Sequence, residues 1–131
     1  MNMDQQPSRR HGIRFSFLDA VVLLAGAGLS WGLWERGNEL WWIVPMAVGH
    51  FFVFCNVFMV WRRWEFLWAG ALVVNVLFHA AQGNLSWWPA CAWQAPVTLL
   101  VIALQMRSPW YHGICAERMN PRLRDYLDGR L

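Results

Sequence analysis

Apolar residues in this chain gather in four long runs, at about residues 17–34, 40–61, 64–82 and 88–106, separated by a few polar or turn-forming positions. At 1.5 Å of rise per residue the second run, about 22 residues, makes roughly 33 Å of helix, enough for a hydrocarbon core of ~30 Å. The third makes roughly 28 Å. The pattern predicts an all-α fold: an integral membrane, up-and-down four-helix transmembrane bundle with a short amphipathic C-terminal helix.

Local signals set the expected boundaries. Residues 1–15 are polar and basic and read as a cytoplasmic N-terminal arm, residues 16–107 hold the four spans, and residues 108–131 form a cytoplasmic tail. Ser16 and Asp19 have the spacing of a capping box at the start of the first helix. Gly37 and Asn38 suit the end of one helix and the cap of the next. The turn Trp61-Arg62-Arg63-Trp64 joins the second and third runs, and Gly83 to Ser86 makes the last turn, with Ser86 as cap. Pro45 falls near the start of the second helix, and Pro96 near the middle of the fourth predicts a bend there. In the tail, Leu123, Tyr126, Leu127 and Leu131 recur at helical spacing between arginines and aspartates, giving the amphipathic helix.

Composition fits a bilayer better than water. The chain of 131 residues is 57% hydrophobic and 15% charged, against roughly 25% charged in an ordinary soluble domain. A soluble domain this small could not bury so much apolar surface. The rival reading of the first run as a cleaved signal fails because the run continues past Ala27 to Trp34.

Charge then orients the bundle. Every basic residue is arginine; with the N-terminus inside, ten of the eleven fall on one side and only Arg36 on the other. That asymmetry predicts both termini in the cytoplasm, in a membrane of the bacterial cytoplasmic type. The net charge of +3 belongs to the flanks of the spans, so nucleic acid is not expected as a partner. Cys55, Cys91 and Cys115 are far apart and odd in number, without a C-x-x-C pair, and define no disulfide framework.

Candidate chemistry is sparse. Gly28 and Gly32 form a G-x-x-x-G, and Gly26 with Ser30 repeats the spacing one face over; such residues let helix backbones approach closely. Inside the predicted spans the polar residues are His50, Asn56, Asn75, His79, Gln82 and Gln94. Asn75, His79 and Gln82 share one face of the third helix. His50, His79, Asn75 and Gln94 concentrate in the outer half of the bundle and are the candidate cofactor-binding residues. Unpaired polar groups are costly at that depth, so they should face other helices or a wet cavity. His50 and His79 stand at different depths, which disfavours their ligating one haem iron together within a chain. His112, Cys115 and His11 lack a fourth ligand for structural zinc, so no metal site is expected. No G-x-S-x-G, H-E-x-x-H or phosphate loop is present, and no catalytic residue is expected.

Three functional readings follow. The first is a non-catalytic accessory, assembly or scaffold subunit of a larger membrane complex, its partners being the lipid bilayer and other membrane subunits. The second is a redox or pigment subunit holding haem, chlorin or quinone through His50 or His79. The third is a small transporter, weakened by the lack of an acid deep in any span.

Overall fold

The computed structural model describes residues 9–131, so the first eight positions of the predicted arm lie outside the described residues. Every regular element among these residues is helical. Helix α1 spans Phe17–Glu35 and begins at the predicted cap: Asp19 N–H donates to Ser16 Oγ (3.2 Å) and Ser16 N–H donates to Asp19 Oδ2 (2.7 Å). The reciprocal pair satisfies two backbone donors that a helix start otherwise leaves open.

Helix α1 packs on the second helix through its smallest residues. A Cβ placed on Gly26 would stand 3.2 Å from Cγ2 of Val48, so the backbones meet closely there. One turn on, Ser30 Oγ donates to the carbonyl of Trp41 (2.9 Å).

The second apolar run departs from the expected continuous helix over 40–61. Leu40 to Trp42 form a turn; α2 spans Ile43–Phe52 and continues as a π-helical turn, Val53–Val57, before the chain unwinds through Phe58, Met59 and Val60. The helical part, Ile43–Val57, gives roughly 22 Å, short of a ~30 Å core. The late start has a local cause. Pro45 is the third helical residue, where its missing N–H would have had no partner, so it opens the helix instead of kinking it. The early end has none, because residues 52–61 contain neither Gly nor Pro.

Helix α3 spans Arg62–Ala81 and α4 spans Trp87–Met106, the latter running through Pro96 as one helix. Ser86 stands at the cap position of α4, but its hydroxyl donates to Asn84 Oδ1 (2.6 Å) and does not cap the helix. Helices α1, α3 and α4 are each long and apolar enough to cross a membrane. Large apolar side chains along them, including Leu24, Val74, Phe78 and Leu99, are exposed. A core of Phe54, Val60, Trp68, Leu72 and Val101 joins the π-helical turn and the unwound segment after α2 to α3 and α4.

The tail folds back on the open end of α2. Its two short helices, α5 (Ala116–Met119) and α6 (Leu123–Leu127), flank buried Asn120, whose Nδ2 donates to the carbonyls of Pro109 and Tyr111 (2.8 Å each). Tyr111, Ala116 and Leu123 cluster against Phe58, Met106 and Leu127. Ile114 N–H donates to the carbonyl of Val57 (2.8 Å), and Arg14 N–H to that of Asn56 (2.8 Å). Gly12 N–H donates to the His112 carbonyl (2.9 Å), and Arg9 Nη1 to the carbonyls of Tyr126 (3.2 Å) and Leu131 (3.4 Å). The arm and the tail therefore share one end of the helices, and both bond the open carbonyls at the end of α2.

Candidate functional site

The four candidate cofactor-binding residues fall into three settings. Asn75 of α3 and Gln94 of α4 meet directly: Asn75 Nδ2 donates to the carbonyl of Ala90 (2.8 Å) and to Gln94 Oε1 (3.3 Å). Gln94, almost wholly buried, donates through Nε2 to the carbonyl of Trp68 (3.1 Å). The bonds continue from Trp68 Nε1 to Thr98 Oγ1 (2.9 Å), which in turn donates to the Gln94 carbonyl (3.2 Å). Four side chains thus lace α3 to α4 in a closed set. Asn75 Oδ1 is buried and has no partner among the described residues.

His50, on α2, adjoins this set at Trp68 and Thr98. Its Nδ1–H donates to the carbonyl of Met46 (2.7 Å), and its ring stacks on Trp68 with centroids 4.5 Å apart. It borders a groove of about 510 Å³ with Trp41, Trp42, Met46, Trp87 and Cys91. Because Nδ1 carries the proton, Nε2 of the neutral ring keeps its lone pair.

His79 is the third setting. It is buried near the end of α3, where Nδ1–H donates to the carbonyl of Asn75 (2.9 Å). It does not border the His50 groove. The two histidines are not brought together. Asn75 and Gln94 border a different groove, of about 670 Å³, with Gly70, Val74 and Phe78 on the α3–α4 face.

The glycine pairs also part. Gly26 and Ser30 face α2, whereas a Cβ on Gly28 or Gly32 would meet nothing within 4 Å. Their face of α1 is uncovered by the described residues.

Sequence reasoning overlooked the most deeply placed polar residue. Gln105, fully buried near the end of α4, donates through Nε2 to the Met59 carbonyl (2.8 Å) and accepts from Trp61 N–H (3.3 Å). It supplies the backbone partners that the unwound end of α2 lacks. It falls at the last turn of the predicted fourth span, two positions before Arg107, where residue type and spacing set it no task; only the break in α2 gives it one.

At the tail, His11 Nε2 lies 2.9 Å from Glu117 Oε1. His112 stacks on Tyr126 at 4.5 Å and hands its Nδ1–H to the Trp110 carbonyl (2.8 Å). Burial holds the His112 imidazole below its usual range, and the neighbouring Arg14, Arg9 and His11 push the same way against that hydrogen bond. Burial also drives the Tyr111 phenol up to about 12, with Cys115 adding a little. Among the described residues no three His, Cys, Asp or Glu side chains converge as metal ligands.

What the fold defines is an all-helical protein with three helices long and apolar enough to cross a membrane. No protein-family model, curated protein or solved structure matches the chain.

Proposed function

We propose that this chain is a polytopic membrane protein with both ends on the cytoplasmic side, acting as a non-catalytic accessory, assembly or scaffold subunit of a larger membrane complex. The observation that carries the reading is how the polar side chains within the apolar helices are used. Asn75, Gln94, Thr98, Trp68 and Gln105 all bond to backbone or to one another across helices. Polar groups in hydrocarbon serve as such glue, each contact contributing about 0.6 to 2 kcal/mol. The uncovered Gly28 and Gly32 face of α1 suits close approach by a second membrane helix. Ten arginines against one support the sidedness.

The test is the size and composition of the particle extracted at native expression in mild detergent. A constant stoichiometry with one membrane partner is expected, reduced by Gly28→Leu with Gly32→Leu. A solitary 15.3 kDa chain would overturn the reading.

A second reading rests on His50. A ring nitrogen bonded to a backbone carbonyl, with the other nitrogen without a partner among the described residues and the residue bordering an apolar groove, is how proteins orient a ligating imidazole. Haem, chlorin or a quinone would suit that groove by chemistry and size. A Soret or chlorin band in the purified protein, lost in His50→Ala and kept in His79→Ala, would replace the scaffold reading.

A further inference from the structure

The arm-and-tail end of the molecule carries an excess of uncompensated guanidinium. Arg10, Arg62, Arg63, Arg107, Arg118 and Arg124 are all exposed, and among the described residues none has a carboxylate within 4.0 Å. The acids of that end among the described residues are engaged elsewhere. Asp19 caps α1, Glu65 accepts from the Cys55 thiol (2.9 Å), Glu117 faces His11, and Asp125 and Asp128 hold Arg130. The opposite end has a single arginine, Arg36, between Glu35 and Glu39.

Within this basic end one place is built in more detail. The rings of Trp61 and Trp110 stack with centroids 4.7 Å apart, and the Arg63 guanidinium lies 5.1 Å from the Trp61 ring. Gln105 ties the Trp61 backbone to the end of α4, after which Arg107 follows two positions on. Trp110 Nε1 is shut off from solvent and has no acceptor among the described residues. An aromatic platform and the Arg63 cation thus stand together where α3 begins, and Arg107 lies three positions before Trp110 at the end of α4.

We propose that this end is a binding site for the phosphate headgroup of an anionic phospholipid, centred on the Trp61–Trp110 stack with Arg63 and Arg107 beside it. Guanidinium bonds phosphate with paired donors, and indole rings settle at headgroup depth with the N–H turned to polar atoms. An anionic leaflet attracts arginines near its surface, each worth about fivefold in partition. The inference rests on the membrane part of the proposed function but not on the subunit part.

The test is native mass spectrometry of the full chain in mild detergent with equal phosphatidylglycerol and phosphatidylcholine. Phosphatidylglycerol should be retained in preference. Arg63→Gln with Arg107→Gln should lower that retention by about fivefold per arginine removed, and Arg36→Gln should leave it unchanged. Equal retention of both lipids, or retention indifferent to the double variant, overturns the proposal while leaving the membrane reading intact. Displacement by millimolar inorganic phosphate would show a site for free phosphate and overturn the lipid assignment. Retention of neither lipid would remove the membrane reading and this inference with it.

Discussion

Gly113 brings the backbone of the tail against the carbonyl of Val57: a Cβ at position 113 would stand 2.6 Å from that oxygen and 2.8 Å from the carbonyl carbon of Phe58. The neighbouring Ile114 N–H donates to the same oxygen at 2.8 Å. The tail is therefore a structural part of the helical body, filling the end of the short second helix. Backbone groups left open in a nonpolar setting cost several kcal/mol each, which is why the break in α2 and the fold of the tail belong together.

Gly113→Ala tests that dependence. The added methyl must displace backbone, and overpacking of this kind costs about 1–3 kcal/mol. A lowered unfolding temperature is expected, together with proteolysis within residues 107–131. Gly28→Ala, at an open position on α1, is expected to be neutral or to stabilise by up to ~1 kcal/mol in the isolated chain. Equal effects for the two variants would mean that the tail does not lean on Val57.

Gln105→Leu should be the most damaging change among the polar residues of α4. It leaves the Met59 carbonyl and the Trp61 N–H without partners, at about 1–3 kcal/mol for each buried group. Faster amide exchange at Trp61 and a loss of about 2–4 kcal/mol in unfolding free energy are expected.

Within the lacing of α3 to α4, Gln94→Leu and Asn75→Leu should differ. Gln94 closes bonds on both sides, whereas Asn75 already carries an unpaired buried oxygen, so replacing it also removes an unfavourable group. The expected order is a larger loss for Gln94→Leu than for Asn75→Leu, read from thermal unfolding in one detergent.

The tail should be stable only within a pH window. His112 has its folded pKa depressed, so its contribution is complete above the ordinary histidine value of about 6.5 and is lost as pH falls through the folded value. Tyr111 has its folded pKa raised to about 12, so its contribution is complete below about 10 and fades as pH rises towards 12. Protease resistance of residues 107–131 measured against pH should fall at both edges. His112→Phe, which keeps a ring against Tyr126, should remove the acid edge alone; an acid edge that survives this change would assign it to another group.

Three of the four apolar runs were legible from the sequence as helices able to cross a membrane, because length and apolar composition are properties of a segment by itself. The capping box of Ser16 and Asp19 was legible for the same reason: both partners lie within one turn. What surrounds the second run was not. Nothing in residues 52–61 forbids a helix; the chain opens there because Gln105, Ile114 and Arg14, far away in sequence, supply partners for its backbone. The same limit separated Gly26 from Gly28, identical residues of which only one meets a neighbour, and divided His50 from His79. Residue type and local spacing determined where the helices lie and where arginine gathers; the tertiary structure alone decided how far α2 extends and which polar groups meet, since contacts between distant segments leave no periodicity in either.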